Sequence, residues 1–315
     1  MSLLPFSLKM PGRSFRGSPP PLTPAERDLA EELRHDLEHL CRDIGDRSLP
    51  YRTAQLRQSA EWLTAQLKAA GCVVAGQSFA VEGERVENII GEAPGQDPGL
   101  PPLLAGAHYD SLRGTVGAND NGSGVVCALA LARRLAKANL ARTLRFVFFV
   151  NEEPPYFQTP EMGSVVYAQH CRAQQEELLG FINLETIGHY TQEPKSQHYP
   201  LKAMEFVLPT TGNFLAFVAN EMSKDLLYAT IGEFREHATL PSVGAALPDD
   251  MEGIGFSDQW SFWQVGYPAI MLTDTAPFRY THYHTTQDTP DKCDFESMAR
   301  LTSAMEAAIR ALCSK

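Results

Sequence analysis

A chain of 315 residues with 43% hydrophobic and 21% charged side chains is long and apolar enough to bury a sizeable core, and it falls with ordinary globular proteins. Its 38 acidic and 27 basic side chains leave a formal charge of −11. That balance repels nucleic acid and anionic lipid over most of the surface, so neither is expected as a partner.

The apolar start at residues 3–8 is broken by Pro5, is too short for a signal peptide's apolar region, and is followed by no small-residue cleavage site. No apolar run approaches the ~20 residues that cross a bilayer. The six cysteines are scattered without a C-x-x-C pair, the usage of a reduced protein, and a cytoplasmic placement is expected. Five prolines fall within the first 23 residues; they predict an extended arm over residues 1–23, with a single domain over 24–315.

Thr23-Pro24-Ala25-Glu26 opens a helix with an N-cap, a proline at the first helical position and the acid of a capping box. Leu29, Leu33, Leu37, Leu40 and Ile44 follow at helical spacing, and a second helix spans 51–70 before Gly71. Strands are then predicted over residues 73–81, 86–91, 103–107, 143–150, 181–186, 205–208 and 268–272. Helices are predicted over 122–138, 213–227 and 297–312. Continuous apolar strands such as Phe146-Val147-Phe148-Phe149-Val150 require cover on both faces. The architecture expected is an α/β fold, a three-layer α/β/α sandwich around a mixed, mostly parallel central sheet. Residues 188–202 and 233–255 lack periodicity, and long loops of that kind border active sites.

Polar residues gather where predicted strands end, the place where open α/β sheets bind ligands. The strand at 103–107 runs into His108-Tyr109-Asp110-Ser111, and a loop then carries Ala118-Asn119-Asp120-Asn121-Gly122-Ser123-Gly124. The strand at 143–150 runs into Asn151-Glu152-Glu153, the strand at 181–186 delivers Glu185, and Tyr283-His284-Thr285-Thr286-Gln287-Asp288-Thr289-Pro290 lies far downstream. Each motif alone is ordinary. Together, imidazoles and carboxylates at the ends of several strands form the donor set of a divalent cation.

With these motifs, Ser257-Asp258 and Gly266-Tyr267-Pro268-Ala269, the sequence resembles the di-zinc aminopeptidase family that includes secreted bacterial leucyl aminopeptidases and, more distantly, glutamate carboxypeptidase. The resemblance covers most of the chain from about Pro11. It implies a zinc-dependent exopeptidase, most simply an aminopeptidase taking a peptide or aminoacyl substrate, with two Zn2+ per chain. It places His108, Asp120 and Glu185 on one metal and Asp120, Glu153 and His284 on the other, Asp120 bridging. Asp110 would orient His108, and Glu152 would act as general base on a metal-activated water.

Some positions depart from the family pattern. Asn119 and Glu185 stand where Asp is usual, Gln259 follows Ser257-Asp258 where His is common, and residues 252–256 lack an oxyanion-binding tyrosine. The oxyanion contact then falls to the metals or to His189, Tyr190 or Tyr283. Two other readings stay open at this point. One is a glutaminyl cyclase-like acyltransferase with a single zinc on a related fold, and the other is a non-catalytic binding module.

Overall fold

Apolar runs fold as strands here because both faces of the sheet are covered. The structure is a computed structural model that describes residues 8–314. Eight strands, β1 (Val73–Val81), β2 (Glu84–Ala93), β3 (Leu103–His108), β4 (Leu144–Phe149), β5 (Gly180–Glu185), β6 (Leu215–Asn220), β7 (Ser242–Leu247) and β8 (Ala269–Thr273), form one sheet in the order β1-β2-β4-β3-β5-β8-β6-β7. The central strands β4, β3, β5 and β8 are mutually parallel. β2 joins β4 antiparallel, β6 joins β8 antiparallel, and β7 pairs parallel with β6. The carboxyl ends of the four parallel strands therefore share one edge.

Side chains alternate across the sheet into two cores. In β4, Phe146 and Phe148 enter one core while Val147 and Phe149 enter the other. The first core lies under helices α1 (Pro24–Glu38), α2 (Thr53–Ala70), α3 (Gly124–Leu135), α5 (Lys224–His237) and α7 (Phe295–Cys313); the second lies under α4 (Gly163–Ala173) and α6 (Gln259–Gln264). This is the α/β/α sandwich with a mixed sheet that the sequence predicts. α1 carries the full capping box: Thr23 Oγ1 accepts the Glu26 N–H at 3.2 Å, and the Thr23 N–H donates to Glu26 Oε2 at 2.8 Å.

Several elements differ from expectation. Residues 205–208 are not a strand; a 3-10 turn covers Lys202–Phe206. The helix expected over 213–227 starts only at Lys224, because Leu215–Asn220 is strand β6. A short, wholly apolar run has the same appearance in a buried strand and a buried helix, and here the pairing with β7 and β8 decides it. β7 lies inside the stretch that lacks periodicity; its Gly244-Ala245-Ala246 centre has little strand propensity, and its place is set by β6 and by Met10 packed over Gly244. α4 and α6 are further elements that the sequence pattern does not mark.

The expected arm over residues 1–23 is described only from residue 8. From there to residue 23 it has neither helix nor strand, and it is tied down by bonds from Arg235 to the Pro11 carbonyl and from Arg300 to the Pro20 carbonyl. All six cysteines are free thiols, and all but Cys293 are buried. Among the described residues no helix is long and apolar enough to cross a membrane.

Candidate metal centre at the carboxyl ends of the strands

Three neighbouring strands deliver most of the side chains. His108 ends β3, Glu152 and Glu153 follow β4, and Glu185 ends β5, while Asp120 stands in the irregular segment Ala118–Ser123 before α3. That segment lies hard against the sheet: a Cβ on Gly124 would meet the Leu184 carbonyl oxygen at 2.2 Å, so the close approach requires glycine there. His284 comes from the loop before α7. His108 is fully buried, and Asp120, Glu152, Glu153 and Glu185 are nearly so; His284 stands at the surface.

The structure brings all of these predicted residues into one cluster. His108 Nε2 lies 3.4 Å from Asp120 Oδ1, 3.4 Å from Glu185 Oε2 and 3.7 Å from Glu152 Oε2. His284 Nε2 lies 3.1 Å from Asp120 Oδ2 and 3.3 Å from Glu153 Oε2. The donors therefore form two groups, His108/Asp120/Glu185 and Asp120/Glu153/His284, joined by the two oxygens of Asp120. Glu152 belongs to neither group.

These spacings fit a divalent cation in each group. Donors on a tetrahedral zinc with bonds of ~2.0–2.1 Å stand roughly 3.3–3.4 Å apart, close to the separations found. Both ring nitrogens of His108 and Glu153 Oε1 are buried without a hydrogen-bond partner, although buried polar atoms are almost always paired. A cation held by His108, Asp120 and Glu185 would supply the partner of His108 Nε2, while Nδ1 faces Asp110.

The protonation equilibria agree. Burial pushes Glu152 well above the usual carboxylate range, with Glu185, Glu153 and Asp258 adding to the shift and His108 opposing it. Burial raises Glu153 to about 7, with Asp120 adding to it. Glu185 is raised for the same reason. Burial alone would lower the histidines, but the surrounding carboxylates outweigh it; His108 is raised well above its ordinary value and His284 to about 10. Asp120 resists the upward pull of burial and is held low by His108 and His284.

Apart from Asp120, then, the cation-free cluster binds more protons than the unfolded chain does. Acids with raised folded pKa values and histidines with raised ones act in the same direction: their stabilisation is present at low pH and is lost as pH rises toward the folded pKa values. Metal-free protein is accordingly expected to melt at lower temperature at pH 8 than at pH 5.5, and saturating zinc is expected to remove most of that difference. Calorimetry with and without chelator checks this, and a metal-free melting temperature that climbs with pH would contradict it.

The supports of the cluster were mostly invisible in the sequence. Asp110 stands 3.4 Å from His108 Nδ1, and its carboxylate also accepts the Glu152 and Glu153 N–H groups at 3.2 and 3.1 Å. It therefore fixes the turn after β4 as well as flanking the imidazole. Ser257 Oγ donates to Glu185 Oε2 at 2.5 Å, and Asn121 Nδ2 reaches the same oxygen at 3.1 Å. Asn119 spans from Asp274 to the Gly188 N–H, so it is a brace. Arg47, fully buried, caps the carbonyls of Tyr109 and Val116 around the loop between β3 and Asp120. Apart from Asp110 beside His108, which the resemblance implies, these pairs link residues distant in the chain, and the sequence offers no signal for them.

Of the three aromatic candidates for the oxyanion contact, Tyr283 stacks on His284 (ring centroids 3.9 Å apart) and lines an apolar cavity beside Glu185. His189 packs against Tyr280 with its backbone N–H on Asp274, and Tyr190 is held in the core. The cavity encloses about 100 Å3. Its walls are apolar, with Met204, Phe214, Val218, Leu247 and Met271 among them, and its charged lining residues are Glu185 and Glu252.

Residues 88–309 match the model of Peptidase family M28, and the chain belongs to that family. It is therefore a peptidase-family hydrolase fold with its polar cluster at the sheet edge where such folds bind ligands. It is 32% identical over 283 residues to the uncharacterized protein YfbL of Escherichia coli, covering 87% of this chain and 86% of that one. It is 31% identical over 265 residues to leupeptin-inactivating enzyme 1 of Streptomyces exfoliatus, covering 81% of this chain and 52% of that longer protein. Its fold superposes on the zinc aminopeptidase of Bacillus subtilis with a TM-score of 0.73 at 14% identity, covering 90% of this chain and 95% of the other.

Proposed function

We propose that the chain is a two-zinc aminopeptidase that removes N-terminal residues from peptides or aminoacyl amides. One observation carries the reading: two donor groups share Asp120, and Glu152 stands beside His108 at their edge but belongs to neither. Zinc suits a mixed imidazole and carboxylate donor set, and it is the metal named for the B. subtilis structure of the same fold. Bound to these residues, the cations would supply Lewis acidity, lowering the pKa of the attacking water and polarising the substrate carbonyl.

The remaining work falls to this chain's own residues. Glu152 accepts the proton released by the attacking water and returns it to the departing amine nitrogen, so that one water adds across the amide as acid and amine part. Asp110 holds the Glu152 backbone in place through the N–H contact described above. Glu152 and Glu185 receive the substrate ammonium. Tyr283 donates its hydroxyl toward the carbonyl oxygen. The cavity favours an amino terminus over a carboxyl terminus because, among the described residues, no lysine or arginine lines it to receive a terminal carboxylate.

The apolar walls of the cavity set the first side chain. A methylene in a fitted pocket contributes about 1–3 kcal/mol of discrimination, so leucine, methionine or phenylalanine amides are expected to exceed alanine amide by at least about tenfold in kcat/KM, with glutamate amide cleaved least. Metal analysis joined to a panel of aminoacyl amides, N-blocked peptides and N-terminal Gln peptides tests the whole reading. One zinc per chain together with cyclisation of N-terminal Gln would sink it in favour of acyl transfer. Cleavage of N-blocked peptides as fast as free ones would sink the assignment of the amino terminus.

A further inference from the structure

Three consecutive main-chain amides of the loop carrying Asp120 end on one residue. The Ala118 N–H donates to the Asp288 carbonyl at 3.3 Å, the Asn119 N–H to Asp288 Oδ1 at 2.9 Å and the Asp120 N–H to Asp288 Oδ2 at 3.0 Å. Asp288 is 1% exposed, and its Oδ1 also accepts the Tyr280 hydroxyl at 2.9 Å. The Asp288 N–H donates to the Thr285 carbonyl at 3.1 Å, closing the turn that directly follows His284, whose own backbone is left-handed with φ of 57°. The loop of Asp120 and the loop of His284, 168 positions apart where Asp288 meets Asp120, are therefore fastened together at one side chain.

We propose that Asp288 is a positioning residue that sets the 3.1 Å approach of His284 to Asp120, and with it the affinity of the Asp120/Glu153/His284 group for its cation. The proposal rests on reading that group as a zinc site. A carboxylate is required by the chemistry of the contacts. Both of its oxygens accept N–H donors, whereas an asparagine would turn an NH2 toward one of those amides and lose the bond. His284 has a left-handed backbone, and its ring is held on one face by stacking on Tyr283; neither contact ties it to the loop of Asp120, so a loosened fastening at Asp288 lets the two loops drift apart.

The experiment titrates zinc into metal-free wild-type protein, Asp288→Asn and Tyr280→Phe in competition with a chromophoric chelator. The weakened equivalent is assigned by comparison with His284→Ala, which removes a donor from that group alone. Wild type is expected to take two equivalents. Asp288→Asn is expected to weaken the equivalent also lost in His284→Ala by about 10–100-fold, the usual effect of removing a partner behind a ligand, with a smaller change in the other. Tyr280→Phe leaves both amide contacts in place and is expected to shift the same equivalent in the same direction by less. Melting in chelator separates the alternatives: a chelated melting temperature that falls while both zinc affinities stay unchanged overturns the proposal. If Asp288→Asn does not fold, Tyr280→Phe decides alone, and unaltered zinc binding overturns it. Fewer than two equivalents in wild type instead overturns the two-zinc reading beneath it.

Discussion

Glu152→Ala is expected to lower turnover of a good aminoacyl amide by about 10²–10⁴-fold, the range of general acid–base assistance, while the protein still binds two zinc ions. The reason is positional. Glu152 is 7% exposed and faces His108 Nε2 at 3.7 Å, yet its carboxylate joins neither donor group. Removing it takes away a proton acceptor and leaves each cation its donors. The backbone that carries Glu153 keeps its bond to Asp110, since that contact uses an amide and not the Glu152 side chain. Glu152→Gln keeps the volume and should show the same loss. Kinetics on one substrate, paired with metal analysis of the same preparation, decide the matter. Near-wild-type rates in either variant remove Glu152 from the role of base, and a loss of zinc in parallel with activity would recast it as a ligand.

What could be read from the sequence follows from how each feature is encoded. β3 and β4 announce themselves through apolar runs such as Phe146-Val147-Phe148-Phe149-Val150, buried on both faces, and β5 through Phe181-Ile182-Asn183-Leu184 with a single polar position. His108, the Glu152-Glu153 pair and Glu185 were legible because they sit directly where those runs stop. Asp120 and His284 stand on irregular segments, and only the motifs around them, together with the resemblance, singled them out. β7 hid behind Gly244-Ala245-Ala246, and β6 looked like the start of a helix, because small or uniformly apolar runs carry no period. Asp288 shows the other limit. Its position in the motif after His284 was plain, but its three amide partners lie at residues 118–120, and no spacing along the chain reports a contact formed by the fold.

Asp120→Ala is expected to abolish both zinc binding and turnover, the largest effect of any single change in the site. The two oxygens of Asp120 divide between the histidines, Oδ1 toward His108 at 3.4 Å and Oδ2 toward His284 at 3.1 Å, so its loss reduces both groups to two donors at once. Two cations held side by side would also need an anion shared between them, and among the described residues no other carboxylate belongs to both groups. Loss of affinity should therefore exceed the roughly 10–100-fold seen when only a partner behind a ligand is removed. Because a ligand at 100 times its Kd stabilises the native state by about 2.7 kcal/mol, the rise in melting temperature that zinc gives wild type should vanish in the variant. Asp120→Asn sharpens the argument: it keeps the shape and the amide bonds to Asp288 but surrenders the shared charge, so it should retain at most one weakly held zinc. The comparison runs on the chelated proteins first, to establish that each variant is folded, and then on the zinc-saturated ones. A folded Asp120→Ala protein that still holds two zinc ions as tightly as wild type would show that the two donor groups are not joined through this residue.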